Sequence, residues 1–255
     1  MRIVLKFGTG VLTKCEGASL DESQFTTIAE QVADLHRVGH SCVLVSSGAV
    51  AAGVDLLGLA ARPEDLPSKQ ACAALGQPLL MQMFDRALRQ HDLLTAQLLL
   101  THDDIDRRTR RANARNTLER LLHDRNIIPI INENDSVAVD EIRVSDNDRL
   151  SAEVATLAEA DLLVIATSTD GLREGIQRVP VVHDIGQARS WVTHEKGRFA
   201  TGGMQAKLDA VEMAVLAGIE TVIVDGRKPG QLLDAATGKD VGTRFPVPPQ
   251  VPLTS

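Results

Sequence analysis

Six short runs along the chain are apolar almost without interruption: Ile3 to Phe7, Ser41 to Ser46, Leu94 to Leu100, Ile127 to Asn132, Leu162 to Thr167 and Thr221 to Asp225. Each has the length of a strand, and the lack of polar alternation predicts strands covered on both faces. Between them, apolar residues return every three or four positions, the spacing of a helix with one buried face. These stretches are Asp21 to Val38, Ser68 to His91, Arg107 to Asp124, Asn147 to Ala158 and Met204 to Ala217. Strand and helix patterns alternate, which predicts an α/β fold: a three-layer α/β/α sandwich with a mainly parallel central sheet. Ligands of such sheets sit beyond the carboxyl ends of the strands. The last stretch, Phe245 to Ser255, holds four prolines and is expected to form a surface strap or a fraying end.

Composition narrows the function classes. With 255 residues and 44% hydrophobic content the chain can bury a large core, and one Trp, five Phe and no Tyr leave that core to Leu, Val, Ile and Ala. The formal net charge of -7 argues against a nucleic-acid binder. Arginines 107, 108, 110, 111, 115 and 120 crowd one helix, yet no aromatics interleave them, so a solvated or subunit-facing helix is expected. Cys15, Cys42 and Cys72 are odd in number without CxxC spacing, which points away from a disulfide framework or zinc site and toward a reducing cytoplasm. His36 and His40 are four apart, but Gly39 between them marks a helix end, not a metal site. The N-terminal apolar run is too short for a signal peptide, and no uncharged stretch reaches the ~18 residues of a membrane span.

Several strand ends carry candidate chemistry. Lys6 stands just before Gly8-Thr9-Gly10, where glycines let backbone N–H groups approach a phosphate and the lysine adds a point charge. The alternative is a strand-end lysine reaching solvent. Ser46-Ser47-Gly48-Ala49 precedes a run of small residues and predicts either a helix aimed at an anion or an ordinary serine N-cap. Glu133, Asp135, Asp140, Glu141, Asp146 and Asp148 crowd one stretch with only Arg143 in opposition. Its middle, Ser136 to Val144, has the alternation of a β-hairpin. A solvated loop or a site for a cation, such as an ammonium group or a metal, both fit that stretch. Thr201-Gly202-Gly203-Met204-Gln205-Ala206-Lys207 is a second glycine loop leading into a helix. Lys207 falls in the first turn, where the helix dipole disfavours a cation unless a phosphate reverses the penalty.

Taken in order, these elements resemble the amino acid kinase family, and within it the branch that phosphorylates glutamate. The marks are Leu5-Lys6-Phe7-Gly8-Thr9, Val45 to Gly53, Ser68-Lys69-Gln70 with Gly76-Gln77, Asn113 to Leu118, Ile131-Asn132-Glu133-Asn134-Asp135, Ser145 to Asp148, and Thr201 to Met204 with Lys207. The Asn-Glu-Asn-Asp run is the mark specific to that branch. The resemblance implies one kinase domain over residues 1–255, with the acceptor bound by roughly 1–160 and the nucleotide by roughly 161–255. It implies ATP with Mg²⁺ as phosphoryl donor and L-glutamate as acceptor. Lys6 and Lys207 would flank the transferring group, and Asp148 would hold both lysines. Ser47, Asp135 and Asn147 would bind glutamate, with Asn134 and Asp146 nearby. Lys6, Gly8, Thr9, Thr167, Ser168, Thr201, Gly202, Gly203, Met204, Gln205, Ala206 and Lys207 would line the ATP site. Proline as feedback inhibitor, a γ-glutamyl phosphate reductase as pathway partner and a homo-oligomer are further implications. Gly10, Ser145, Ala200, Ser168 and Arg173-Glu174-Gly175 depart from the usual pattern, the last two on the adenine side. Many bacterial members continue into a PUA domain, and the resemblance leads us to expect a short form without one.

The chemistry suits a carboxylate acceptor. Such a group, with a reference pKa of about 4.3, is already ionised at neutral pH and attacks without a general base, and no histidine lies in the site motifs. Rivals within the fold fare less well. N-acetylglutamate has no ammonium to occupy an acidic loop, and a nucleoside monophosphate would be repelled by one. A non-catalytic amino-acid sensor would not need both lysines and Asp148.

Overall fold

The computed structural model describes residues 1–14, 19–138, 146–192 and 203–249. Its first half runs β1 (Arg2–Phe7), α1 (Thr9–Leu12), α2 (Glu22–Arg37), β2 (Ser41–Ser46), α3 (Ala49–Leu56), α4 (Leu66–Arg89), β3 (Leu94–Leu100), α5 (His102–Asp106), α6 (Arg108–His123) and β4 (Ile127–Glu133). The second half runs α7 (Asp146–Leu157), β5 (Leu162–Thr167), β6 (Arg173–Glu174), β7 (Gln177–Arg178), α8 (Ile185–Ser190), α9 (Met204–Leu216), β8 (Glu220–Asp225), α10 (Gln231–Ala236) and β9 (Thr243–Phe245). Among the described residues the main sheet has the order β3-β4-β2-β1-β5-β8-β9. All neighbours pair in parallel except β8 with β9. The expected α/β sandwich with a mainly parallel sheet is therefore present.

The pleat assigns each strand residue to a layer. Ile3, Leu5 and Phe7 of β1 join a core with Phe25 and Ile28 of α2 and Leu80 and Phe84 of α4. Val4 points the other way, into a core with Leu150 and Val154 of α7 and Leu208 and Val211 of α9. The helix after β1 thus covers one face and the helix leading into β8 from β5 covers the other. Adjacent strands whose connections leave on opposite faces open a crevice at their carboxyl ends, and here that crevice lies between β1 and β5.

Local signals set the helix ends. The Asp21 side chain accepts from Ser23 N–H to start α2. The Asp65 side chain accepts from Ser68 N–H and Pro67 lies in the first turn of α4, so that helix begins two residues before the expected Ser68. The two helices α3 and α4 cross with backbones in contact. A Cβ on Gly53 would overlap the Cys72 carbonyl, and one on Gly76 would overlap the Ala49 carbonyl. Cys42 and Cys72 are free and buried, and burial pushes the Cys42 thiol up to about 12; Cys15 lies outside the described residues.

Three expectations need correction. Leu94 to Leu100 is not covered on both faces: β3 is an edge strand with Leu94 46% exposed. Among the described residues it pairs with β4 and has no neighbour beyond it in the sheet. Phe245 does not begin a loose tail, because β9 pairs it with Thr221 and buries it. Ser136 to Ala138 do not start a hairpin strand. Val137 and Ala138 N–H both donate to Asn134 O, which makes a turn, and residues 139–145 of the expected hairpin lie outside the described residues. The arginine-rich helix is a surface element, with Leu118 its one buried residue and Arg107 and Arg110 paired to Asp103 and Asp104. No helix among the described residues is long and apolar enough to cross a membrane.

Gly76→Ala is expected to cost about 2–3 kcal/mol through overpacking, which lowers Tm by about 5–10 °C for a chain of this size. Gly10→Ala, whose Cβ would meet nothing closer than Ser168 Oγ at 3.8 Å, is the control. Thermal melts of both variants check this, and equal Tm values would remove the helix contact as a constraint.

Candidate functional site

Lys6 follows Val4 by two positions on β1, so the pleat sends its side chain to the α7/α9 face. There it meets Asp148, in the first turn of α7, where the helix dipole favours a carboxylate. Lys207 arrives from the first turn of α9. Lys6 Nζ lies 2.5 Å from Asp148 Oδ1, and Lys207 Nζ donates to Asp148 Oδ2 at 3.0 Å. All three side chains are buried, with side-chain exposures of 5%, 1% and 9% in the order Lys6, Asp148, Lys207. The solvent-reaching alternative for Lys6 is thereby excluded.

Burial pushes the Asp148 carboxyl up, but the charges of Lys6 and Lys207 and their hydrogen bonds reverse this and leave it below its ordinary value. Burial pushes Lys6 down, Asp148 pulls it back, and Lys207 adds to the depression. Two ammonium groups thus share one carboxylate at the crevice, and the trio as a group carries one positive charge. An anion that spreads charge over several oxygens suits such a cluster. A Cβ on Gly8 would sit 3.5 Å from Lys6 Nζ, in space that glycine keeps open.

The other expected residues gather around this centre. Ser47 does not cap α3. That place belongs to Gly48, at a left-handed φ of 106° that a side chain would disfavour. Ser47 Oγ instead accepts from Asn147 Nδ2 at 3.2 Å, joining the β2 end to α7. Asn147 Oδ1 is buried with no hydrogen-bond partner among the described residues, an acceptor suited to an ammonium donor. Asn134 and Asp135 follow β4, with Asn134 fixed by its N–H to Leu100 O and by Ser136 Oγ. Asp146 opens α7, but its side chain is outside the described set.

On the far side, Thr167 and Ser168 end β5, and Ser168 Oγ faces Gly10. Gly203 caps α9 without a side-chain bond, so Met204 and Gln205 present first-turn N–H groups near Lys207, while Ala206 N–H donates to Gly203 O at 3.2 Å. Thr201, Gly202 and Ala200 lie outside the described residues, as does Ser145.

Sequence reasoning missed three contributors. Arg227, after β8, donates from Nε and Nη2 to Gly10 O at 3.0 and 2.6 Å and from Nη2 to Thr13 O at 2.8 Å, clamping the loop that follows Lys6. Nothing local marks it, because its partners lie more than 200 residues away. Arg62, an exposed residue between α3 and α4, interacts electrostatically with Asp135. Gln77 of α4 accepts from Asn132 Nδ2 at 2.8 Å. The Gly76-Gln77 pair marked it in sequence without a role.

The model of the amino acid kinase family matches residues 1–225. The chain is 44% identical over 252 residues to the glutamate 5-kinase of Trichlorobacter lovleyi, an alignment covering 96% of this chain and 66% of that protein. It is 47% identical over 250 residues to the glutamate 5-kinase of Thermus thermophilus, covering 96% and 67%. The figures for the glutamate 5-kinase of Geobacter sulfurreducens are 45% over 252 residues, 96% and 67%. The chain spans about two thirds of the length of these relatives.

Asp148→Asn is expected to lower stability by about 3 kcal/mol at pH 7, because it removes the carboxylate charge that two buried ammonium groups share. The folded pKa of Asp148 is depressed, so its contribution is present above the ordinary 3.8 and is lost as pH falls through the folded value. Lys6 also has a depressed folded pKa, so the cost of charging it fades as pH rises toward 10.5. The Tm deficit of the variant is therefore largest near pH 7 and narrows by pH 10. Melts across that range check it, and a constant deficit would assign the loss to packing.

Proposed function

Because the chain belongs to the amino acid kinase family, we propose that it transfers the γ-phosphoryl group of ATP to the side-chain carboxylate of L-glutamate, forming γ-glutamyl phosphate, the first step of proline synthesis. The observation that carries this reading is the buried Lys6–Asp148–Lys207 trio, held at the strand ends beside the Ser47–Asn147 pair. The acceptor belongs to roughly residues 1–160 and the nucleotide to roughly 161–255.

In this reading Ser47, Asp135 and Asn147 hold glutamate, with Asn134 and Asp146 beside them. Asp135 and the unpaired Asn147 Oδ1 suit its ammonium group. Lys6, Gly8, Thr9, Thr167, Ser168 and the segment from Thr201 to Lys207 hold ATP. The glutamate carboxylate is ionised at neutral pH, so the protein need not remove a proton. Its work is to bring an anion to a polyanion and neutralise charge on the transferred oxygens. Lys6 and Lys207 do this from two sides, and Asp148 fixes their separation without acting as a base. Mg²⁺ bound with the nucleotide would supply further neutralisation of phosphate charge beside Lys6 and Lys207.

Proline, which keeps an α-carboxylate and a charged nitrogen, is the expected inhibitor at the glutamate site. The product is a reactive mixed anhydride, so a reductase that consumes it is the natural partner. A cytoplasmic homo-oligomer completes the proposal.

The direct test supplies ATP, Mg²⁺ and either glutamate or N-acetylglutamate and traps acyl phosphate with hydroxylamine. Hydroxamate is expected from glutamate, and hydroxamate from N-acetylglutamate alone would overturn the substrate assignment. Lys207→Ala should lower kcat by about 10²–10³-fold, and an unchanged kcat would remove it from the mechanism. Asp135→Ala should raise the glutamate KM roughly ten- to hundredfold and weaken proline inhibition in parallel. Proline sensitivity that survives a collapse in glutamate binding would show that the two ligands do not share Asp135.

A further inference from the structure

Gln77 has no part in the reaction as described, yet it stands among the segments assigned to the acceptor. It sits on the face of α4 that packs on the sheet, three residues before the buried Leu80, and is itself 9% exposed. Asn132 continues the alternation of Ile128 and Ile130 toward that helix. Three groups form a directed chain. Glu133 N–H donates to Asn132 Oδ1 at 2.8 Å, and Asn132 Nδ2 donates to Gln77 Oε1 at 2.8 Å. A backbone N–H can only donate, so it fixes the orientation of both amides. Gln77 Nε2 is therefore left as the donor end, and it is buried with no acceptor among the described residues.

A buried amide donor without an acceptor is destabilising, and folded proteins rarely retain one unless water or a ligand completes it. The surroundings favour a ligand. Gly76, the preceding residue, packs on the carbonyl of Ala49, just after Ser47-Gly48. Asn132 and Glu133 lead directly into Asn134-Asp135. Gln77 thus lies between the two segments that would hold the amino acid. It is also displaced from the phosphoryl centre, since β4 is two strands from β1, roughly 9–10 Å at the usual strand spacing. The end of the substrate that meets Lys6 and Lys207 is the side-chain carboxylate, so the end near Gln77 is the other one. We propose that Gln77 Nε2 donates to the α-carboxylate of the acceptor, which makes Gln77 a substrate-binding residue that reads that carboxylate and is aimed by Asn132. This rests on the assignment of an α-amino acid acceptor made above.

Two variants separate binding from architecture. Gln77→Glu keeps an oxygen for Asn132 Nδ2 but replaces the donor with a second carboxylate oxygen. Gln77→Met keeps the length and loses both functions. With steady-state kinetics at pH 8, Gln77→Glu is expected to raise the glutamate KM by about tenfold or more, with the ATP KM unchanged. Gln77→Met should raise the glutamate KM less, with the ATP KM again unchanged. Glutamate α-amide, which brings its own N–H donors, should lose less with Gln77→Glu than glutamate does. A wild-type glutamate KM in Gln77→Glu, or equal rises for ATP and glutamate, would overturn the inference and leave Gln77 as a structural amide. A wild-type protein inactive on glutamate would overturn the acceptor assignment, and this inference with it.

Discussion

Everything at the sheet's carboxyl edge depends on how two buried lysines share one buried carboxylate. Taking three charged groups out of water is unfavourable, and their mutual attraction offsets this only when geometry is close. The fold meets that condition with rigid parts. The pleat of β1 fixes Lys6 on the α7/α9 side, while the packing of α7 against α9 fixes Asp148 relative to Lys207. In the proposed reaction such a preorganised centre would need little rearrangement as negative charge develops between the lysines.

The side proposed to take the acceptor is organised differently, by close approach and by amides instead of buried charge. Gly53 and Gly76 let α3 and α4 touch, which carries Gln77 to the strand end and presses the turn after Ser47 against α4. Ser47 and Asn147 then tie β2 to the helix bearing Asp148. A shift in either helix pair would be felt at both halves of the site, so residues that never meet a substrate still set its geometry.

Much of this was legible in the sequence because buried parallel strands are written as short apolar runs, and six such runs became strands within a residue or so. The pattern does not record which strand lies at an edge, so Leu94 to Leu100 looked fully covered. Thr243 to Phe245 is too short for any period, and its three residues join the sheet only through pairing with β8. Helices α5, α8 and α10 are likewise too short to show a helical repeat. At the site, Lys6 and Lys207 were visible as cations beside glycines, whereas the role of Asp148 came only from family resemblance. Gln77 and Asn132 are 55 positions apart, and Arg227 is more than 200 from the loop it clamps. Polar contacts of that range leave no periodic trace.

The central claim is that Lys6 and Lys207, set by Asp148, bind the phosphoryl group during transfer more tightly than before or after it. Calorimetric binding of ADP with Mg²⁺ and glutamate, with and without aluminium fluoride as a mimic of the transferring group, tests this directly. The wild-type protein is expected to bind ADP about a hundredfold tighter when the fluoride is present. Lys207→Met should bind ADP alone as wild type does and lose most of that gain. An equal gain in both proteins would contradict the account.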